Sequence, residues 1–248
     1  MENNRYVIIF ILVLTCTVAV LLTFIREATK DQAALNEDIF NKRSILSAIE
    51  VNLDKKVSEF SDEEVVNIFN DKFEQVVLDA NGQVIEGVKA ENIDMAKEKK
   101  KPEAERSLPL YIYRNGENVN YILSVRGNGL WDEIWGNIAL GEDLNTVVGA
   151  AFDHKGETPG LGAEIKDNPT FSRNFQGKEI LASDGDFVSI LVKKGGAEPG
   201  NVHQVDGISG ATITSNGVTD MLYNGIKSYQ PYLETLRGKA QQGMLQQQ

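Results

Sequence analysis

Cysteine and histidine are almost missing from this sequence. Its 248 residues include one cysteine, Cys16, and two histidines, His154 and His203. A single cysteine excludes an intrachain disulfide framework and any cysteine-based zinc or iron–sulfur site, and two histidines leave little material for a histidine metal cage. Chemistry in this chain is therefore expected from a bound cofactor or from hydroxyl and carboxylate groups.

Basic residues are outnumbered. The chain has 25 lysines and arginines against 36 aspartates and glutamates, a net charge of −11. Because a nucleic acid is itself a polyanion, it is not expected as a partner. Apolar residues make up 42% of the chain, enough for a well-buried core in one or two domains.

One long apolar run lies near the N-terminus. The 20 residues at 6–25, YVIIFILVLTCTVAVLLTFI, carry no charge and lie between Arg5 and Arg26. A helix of that length spans ~30 Å, the thickness of a hydrocarbon core. A cleaved signal peptide is the alternative, but its apolar region usually has about 7–15 residues before a small-residue cleavage site, and FIREATKDQA offers none. We predict an uncleaved transmembrane anchor that contains Cys16 as a small apolar residue.

The charges that flank the anchor do not predict its orientation. Arg5 precedes the span, and four basic residues follow it, at Arg26, Lys30, Lys42 and Arg43. This count does not favour a cytoplasmic N-terminus, and long domains translocate largely regardless of charge. The residues alone therefore do not predict on which side of the membrane the soluble domain lies.

Periodic apolar residues predict several helices. Helical spacing continues after the anchor at Leu35, Ile39, Leu46 and Ile49. Ser61 and Glu64 stand in capping-box positions before a helical pattern of Val65, Ile68, Phe69, Phe73 and Val76. A last helix is predicted at about 215–230, with one apolar face formed by Val218, Leu222, Ile226 and Tyr229.

Strand patterns lie between these helices. Asn81-Gly82 predicts a hairpin turn and Asn115-Gly116 a second turn. Alternating or apolar runs predict strands at 110–114, 119–126, 133–140, 144–153 and 187–193. We predict an α+β fold, in which helices flank a twisted, mostly antiparallel sheet attached to a single membrane anchor.

The stretch VHQVDGISGATITSNGVTDM, residues 202–221, concentrates hydroxyl groups before the last helix. Four of them surround Gly210 and Ala211, at Ser209, Thr212, Thr214 and Ser215. The first N–H groups of a helix are unpaired and bind phosphate. If Thr214 or Ser215 caps the helix, Thr212 lies one turn upstream, where a phosphate would meet those amides. An ordinary capped helix after a glycine turn is the structural alternative.

A serine hydrolase is a further alternative that the residues do not support. GISGA lacks the second glycine of the G-x-S-x-G nucleophile turn, because Ala211 occupies that position. The only histidine bases are His154 and His203, and no local signature pairs either of them with Ser209.

Two glycine-rich loops are the other unusual segments. GETPGLGAEI, residues 156–165, holds Leu161 in a rigid turn that could close over a flat ligand, or it is a plain connection between a strand and a helix. GNGLWDEIWG, residues 127–136, carries the only two tryptophans, Trp131 and Trp135. These side chains serve either to stack on a planar ring or, more commonly, to pack in the core.

Together these segments carry a resemblance to a known family. DGISGAT resembles the flavinylation motif D-x-x-S/T-G-A-T, whose last threonine bears FMN through a phosphoester bond. With GNGLW and GETPGLGAEI in the same order, residues 105–232 resemble the NqrC family, the C subunit of the bacterial sodium-translocating NADH:quinone oxidoreductase. The G subunit of the ferredoxin:NAD oxidoreductase (Rnf) complex shares the motif and is the alternative, but ALGEDLNTV is more similar to the quinone-reductase protein.

The resemblance implies an electron-transfer subunit of a membrane respiratory complex. Such a complex oxidises NADH, reduces ubiquinone or menaquinone and exports sodium, and this subunit is not catalytically complete alone. Expected partners are the other subunits, the membrane and, during maturation, a flavin transferase. Since the transferase acts on the outer face, the soluble domain is expected on the extracytoplasmic side of the bacterial inner membrane. The span 6–25 has no ionisable side chain between Tyr6 and Ile25 to form a sodium path of its own.

The resemblance also implies which residues meet the cofactor. Thr212 is the expected point of covalent FMN attachment, and Asp206 is expected to be recognised by the transferase. The longer loop KKGGAEPGNVHQ leaves open whether Lys193 or Lys194 meets the flavin. No catalytic residue and no metal site are expected, and the ring should lie in a half-open cleft. The expected cofactor-binding residues are Thr212 with Ser209, Gly210, Ala211 and Thr214, and Trp131, Glu157, Thr158, Gly160 and Leu161 around the ring.

These expectations divide the chain into an N-terminal tail (1–5), the anchor (6–25), a helical connector (26–60), an N-terminal α/β part (61–106), a covalent FMN-binding domain (107–232) and a polar C-terminal tail (233–248). A function of another class is a membrane-anchored interaction module without a cofactor. The colour of the purified protein distinguishes this module from an FMN-carrying electron-transfer subunit, because only the latter is a flavoprotein.

Overall fold

The computed structural model describes residues 2–116 and 118–245, which belong to two compact units, Met1–Asn41 and Lys42–Gln248. The helices are α1 (Glu2–Ser47), α2 (Asp62–Lys72), α3 (Met95–Glu98), α4 (Glu164–Asp167), α5 (Pro169–Arg173) and α6 (Thr212–Leu245). The strands are β1 (Phe73–Leu78), β2 (Leu108–Asn115), β3 (Asn118–Asn128), β4 (Glu133–Leu140), β5 (Val147–His154), β6 (Leu191–Lys193) and β7 (Gln204–Asp206).

The first unit is the N-terminal part of α1. Its apolar side chains from Tyr6 to Ile25 are exposed, and the helix is long and apolar enough to cross a membrane. The hydroxyls of Thr15, Thr17 and Thr23 each donate to the carbonyl four residues earlier, at 2.7–2.8 Å. Because hydrocarbon offers no hydrogen-bond partners, these internal bonds suit a spanning helix. The helix is therefore compatible with the predicted single-pass anchor.

The second unit contains a five-stranded sheet in the order β1-β2-β3-β4-β5, with every neighbouring pair antiparallel. β6 and β7 form a separate two-stranded parallel sheet. Helices flank the large sheet, so the α+β fold predicted from the sequence is confirmed.

The large sheet has a hydrophobic core on each face. Along β2, Leu110 and Ile112 belong to one buried cluster, whereas Tyr111 and Tyr113 belong to the other. Successive side chains of a strand point to opposite faces, so a strand covered on both sides is apolar throughout. The first cluster includes buried residues of α4, α5 and α6, and the second includes residues of α2 and of the end of α1.

Helix α6 carries the predicted apolar face, with Val218, Leu222, Ile226 and Tyr229 all buried. A hypothetical Cβ at Gly225 would lie 2.6 Å from Cγ1 of Val125 on β3, so the helix and the strand are in close contact there. The helix is longer than the predicted 215–230, because it continues past Pro231 and through the expected polar tail to Leu245.

Several predicted boundaries differ from those in the structure. Helix α2 has the predicted Ser61–Glu64 capping box but ends at Lys72, because Phe73 begins β1 and pairs with Tyr113. The strand predicted from 187 begins only at Leu191, since Ser189 has a φ of 64°, which interrupts extended backbone. The Asn81-Gly82 turn is present, but one bridge, Leu78 to Val84, stands in place of a second hairpin strand.

Candidate cofactor site

The turn before α6 positions the hydroxyl-rich segment. Gly210 has a φ of 77°, a left-handed conformation that glycine adopts at little cost, and the Ala211 amide donates to the Ile208 carbonyl at 3.1 Å. The helix then begins at Thr212, and the Ser215 amide donates to the Ala211 carbonyl at 2.9 Å. Thr212 therefore lies in the first helical turn, which corrects the expectation of a position one turn upstream.

The four hydroxyls of this segment differ in their surroundings. Thr214 and Ser215 are 1% exposed. Thr214 donates to Glu157 Oε2 at 2.7 Å, and the Ser215 oxygen accepts from the Ile208 amide at 3.2 Å, so neither is the predicted helix cap. Thr212 is half-buried and Ser209 exposed, and neither hydroxyl has a hydrogen-bond partner among residues 2–116 and 118–245. Of the four hydroxyls, these two are therefore the ones that could contact a ligand without breaking an internal hydrogen bond.

The loop between β3 and β4, residues 129–132, presents a tryptophan to solvent. It is closed by a 2.8 Å hydrogen bond from the Gly129 amide to the Asp132 carbonyl. The Trp131 amide donates to Glu157 Oε1 at 2.9 Å, and its indole Nε1 donates to Thr158 Oγ1 at 3.1 Å. The side chain is 69% exposed, which contradicts the core-packing alternative for this residue. The indole ring is held by one hydrogen bond and its backbone by another, and a ring held in this way that is still exposed is suited to stacking on a ligand.

The second tryptophan has a different environment. Trp135 is half-buried on β4, and the guanidinium of Arg126 lies 4.9 Å from its ring centroid. Arg126 also donates to Glu133 at 2.7 Å. Trp135 is thus part of a cation–π and ion-pair cluster on the sheet.

The loop at 156–163 folds over the turn that precedes α6. The amides of Leu161 and Ala163 both donate to the Thr158 carbonyl at 3.1 Å, and Gly160 has a φ of 74°. Leu161 is 41% exposed, yet a hypothetical Cβ at Gly210 would lie 2.7 Å from its Cδ2 atom. An exposed apolar side chain is thus fixed directly beside the turn that carries Thr212.

The three segments singled out in the sequence therefore meet at one place. Trp131, Glu157, Thr158 and Thr214 are linked by hydrogen bonds, and Leu161 contacts the Gly210 turn. These positions leave a free hydroxyl at Thr212 near an exposed aromatic side chain and an exposed aliphatic one. The residues fit a flat cofactor attached through a phosphate. Ser209, Ala211 and Gly160 lie in the same turns, with Ser209 and Gly160 exposed and Ala211 buried.

Charges beside the tryptophan loop are paired. The pKa of Asp132 is lowered, first by the hydrogen bond from the Glu133 amide and then by Lys155, whose Nζ is 3.0 Å away. The pKa of Glu133 is lowered chiefly by its hydrogen bond from Arg126. Burial lowers the pKa of Lys99, whose ammonium donates to the Gly127 carbonyl at 2.9 Å and so holds the base of the loop. Both carboxylates are therefore ionised at neutral pH.

Asp206 and the two lysines lie at the end of the small sheet. Asp206 is exposed, and its Oδ1 accepts from the Ala197 amide at 2.7 Å, which folds the long loop after β6 towards the motif. Lys193 forms an ion pair with Glu198, and Lys194 is exposed. The sequence did not reveal the Asp206–Ala197 bond, because its partner is a backbone amide in an irregular loop.

Neither histidine is placed as a base for Ser209. His154 Nδ1 accepts from the Glu157 amide at 3.1 Å, and His203 Nδ1 lies 2.8 Å from the Glu179 carbonyl. Within the described part of the chain, Ser209 has no hydrogen bond to a histidine and no group of three or more metal-ligating side chains occurs. The geometry gives no support to a hydrolase.

Known proteins share this architecture. A family model described as an FMN-binding domain matches residues 129–227, a range that contains the segments 156–165 and 202–221 and all but the first two residues of 127–136. The crystal structure of the C subunit of Na(+)-translocating NADH-quinone reductase from Parabacteroides distasonis is 37% identical, with a TM-score of 0.71, over 82% of this chain and 96% of that one. This chain belongs to the NqrC family. The Shewanella oneidensis NqrC structure has a TM-score of 0.70 at 25% identity, over 82% of this chain and 99% of that one.

Curated NqrC proteins are also similar. The C subunit of the Na(+)-translocating NADH-quinone reductase from Vibrio vulnificus is 42% identical over 131 residues, which is 52% of this chain and 51% of that protein. The Pseudomonas aeruginosa protein is 41% identical over 139 residues, 54% of this chain and 52% of that protein. The chain thus spans about half the length of the curated relatives it matches. The resemblance to the NqrC family seen in the sequence is confirmed, in preference to the Rnf alternative.

Proposed function

We propose that this NqrC-family chain carries FMN bound covalently to Thr212 and relays electrons from NADH oxidation towards quinone reduction, coupled to sodium export. The observation that carries the proposal is the Thr212 hydroxyl, which has no partner among the described residues and lies in the first turn of α6. That turn is joined to the exposed Trp131 through Thr214 and Glu157, and the exposed Leu161 contacts the Gly210 turn just before it. In this proposal the chain contributes a cofactor site, and the complete reaction would require the other subunits of the complex.

The surroundings of Thr212 favour it as the acceptor over its neighbours. Thr214 and Ser215 are buried and hydrogen-bonded, so a phosphate could reach them only if those bonds broke. A phosphate on Thr212 would lie at the first turn of α6, where unpaired amides and the helix dipole favour negative charge. Ser209 is exposed but lies in the turn that precedes α6, outside the helix.

The ring of the flavin would be held mainly by side chains of the two loops. Trp131 offers an aromatic face and Leu161 an aliphatic one, which suits a wide ring system that is apolar over most of its area. Gly160 and Gly210 add no side chain, so the cleft stays shallow. Bound FMN supplies the redox chemistry, and the protein supplies position and electrostatics. The exposure of Trp131 and Leu161 supports the half-open cleft expected for exchange with a partner.

Removing the side chain of Trp131 or Leu161 should change the environment of the flavin ring but not its covalent attachment. We expect Trp131→Ala and Leu161→Ala to carry a full complement of FMN but with a lower flavin fluorescence anisotropy and an altered midpoint potential. Trp135→Ala is the matched control, since this tryptophan stacks with Arg126 on the sheet. Values equal to wild type in both loop variants would show that neither side chain contacts the flavin.

The partners and the location follow from the same proposal. The apolar helix would anchor the chain in the bacterial inner membrane, beside the other subunits of the complex. The domain would face the extracytoplasmic side, where a flavin transferase would recognise the exposed Asp206 during maturation. The acceptor hydroxyl lies at the surface of the domain, which is what access by a second protein requires.

Colour tests the proposed function directly. The full-length chain coexpressed with a flavin transferase should remain yellow after denaturation and gel filtration, and its band should fluoresce in a denaturing gel. Expression without the transferase is the control, and should give a colourless band. A colourless band in both cases would instead favour a membrane-anchored interaction module without a cofactor.

A further inference from the structure

Glu157 is the most enclosed carboxylate of the site. It is 5% exposed, yet both of its oxygens have partners on other segments: Oε1 accepts from the Trp131 amide at 2.9 Å, and Oε2 accepts from the Thr214 hydroxyl at 2.7 Å. Each oxygen of the Glu157 side chain therefore accepts one hydrogen bond, and the two donors belong to different segments of the chain. The side chain thus bridges the tryptophan loop and the first turn of α6.

The backbone around Glu157 leaves room only for this carboxylate. A hypothetical Cβ at Gly129 would lie 2.4 Å from Oε1, and one at Gly162 would lie 2.2 Å from Oε2 and 2.6 Å from the Thr214 hydroxyl. Real Cβ atoms do not approach that closely, so a side chain at either position would displace the carboxylate from its present place. The glycines of GNGLW and GETPGLG therefore serve, in part, to admit an internal acid.

Glu157 is itself attached to the large sheet. Its amide donates to His154 Nδ1 at 3.1 Å, and His154 is the last residue of β5. The connection runs from the sheet, through Glu157, to Trp131 on one side and to Thr214 on the other. Thr214 lies two residues from Thr212, in the same helical turn.

We infer that Glu157 is a positioning residue, which fixes Trp131 and the first turn of α6 so that the Thr212 hydroxyl and the indole face one cleft. The inference rests on the proposed function for the role of Thr212. It also separates Glu157 from the side chains that would touch the flavin, because both carboxylate oxygens are used inside the protein. Thr158, whose hydroxyl accepts from the Trp131 indole, supports the same arrangement from the adjacent position.

The first test uses the protein without flavin. In a full-length Trp135→Phe background, Trp131 is the only tryptophan of the chain. Loss of the hydrogen bond to Glu157 is expected to speed hydrogen exchange of the Trp131 amide by roughly tenfold or more in Glu157→Ala, and to lower the fluorescence anisotropy of Trp131. Glu157→Gln keeps a carbonyl oxygen for that amide and should stay within about threefold of the parent. Unchanged exchange in Glu157→Ala would overturn the inference.

The second test measures flavin attachment with the transferase. We expect the rate to fall roughly tenfold in Glu157→Ala and also in Thr214→Val, which keeps the shape of the side chain but removes the bond to Glu157. Glu157→Gln should be close to wild type, since the amide can donate to the Thr214 oxygen. If Glu157→Ala fails to fold, Thr214→Val still decides: a wild-type rate there would contradict the positioning role.

Glu98 provides a matched control for stability. It is also a buried carboxylate, 8% exposed, and it accepts from the Ser107 amide at 2.9 Å and from Lys101 at 2.8 Å, outside the three segments. Glu98→Ala should lower the melting temperature without changing Trp131 exchange or the attachment rate. An equal loss of rate in Glu98→Ala would reduce Glu157 to an ordinary structural residue. If wild type accepts no flavin, the proposed function fails, while the exchange experiment still tests Glu157.

Discussion

Replacing Thr212 with alanine is expected to abolish covalent FMN attachment. The Thr212 hydroxyl is the one side-chain hydroxyl in the first turn of α6 that has no hydrogen-bond partner among the described residues. Without that oxygen no phosphoester can form, whatever the affinity for the flavin. Intact mass after coexpression with the transferase should show one added FMN in wild type and none in Thr212→Ala.

Matched hydroxyl variants make this result specific. Thr212→Ser keeps the acceptor oxygen and should keep at least part of the flavin, whereas Ser209→Ala should be fully modified because the removed hydroxyl precedes the helix. Thr214→Ala should also retain FMN, although more slowly, since its hydroxyl is bonded to Glu157. A fully flavinylated Thr212→Ala protein, or loss of FMN in Ser209→Ala alone, would show that the acceptor is another residue.

Gly217→Ala should cause the largest loss of stability among simple glycine replacements in α6. A Cβ at this position would lie 2.2 Å from the carbonyl oxygen of Asn128, at the end of β3. Both atoms belong to backbone segments, so relief requires the helix to move away from the strand. Overpacking of this kind costs about 1–3 kcal/mol, and we expect the upper end of that range. Chemical denaturation of the full-length protein in detergent would measure it.

The same helix contains a control for this prediction. Gly238 has no atom within 4 Å of a hypothetical Cβ. Since alanine is favoured over glycine in helices by about 1 kcal/mol, Gly238→Ala should be neutral or stabilising. Gly217→Ala should also slow flavin attachment, because Asn128 precedes the tryptophan loop and a shifted α6 would separate Thr212 from Trp131. Equal stability of the two variants would mean that the helix and the strand are not in tight contact.

Much of the fold was predictable because it depends on local patterns. β3, β4 and the apolar face of α6 all lie where the period of their apolar residues predicted them. The errors occurred where tertiary contacts override local preference. Phe73 continues the helical spacing of α2, but its pairing with Tyr113 places it in β1. Ser189 lies in an apolar run, but its positive φ ends the extended conformation.

The cofactor site also combines features that local sequence predicted with features that depend on tertiary contacts. The resemblance of DGISGAT to the flavinylation motif implies Thr212 as the acceptor, which stays a prediction, and the composition of the two glycine-rich loops marked them as unusual. Their meeting point was not visible, because the bonds from Trp131 and from Thr214 to Glu157 join residues 26 and 57 positions apart. The exposure of Trp131 was equally hidden, since an aromatic residue between glycines suits a core as well as a surface.

The sequence alone determined an uncharged run long enough to span a membrane, the α+β pattern and the family, because each depends on residue types at short spacing. Only the tertiary structure decided which hydroxyls are engaged, since Thr212, Thr214 and Ser215 are chemically similar neighbours. Their difference arises from the start of α6 at Thr212, which directs Thr214 to the buried carboxylate of Glu157. The fold brings that carboxylate from a distant loop to Thr214. The Thr212 hydroxyl, in contrast, has no hydrogen-bond partner among the described residues.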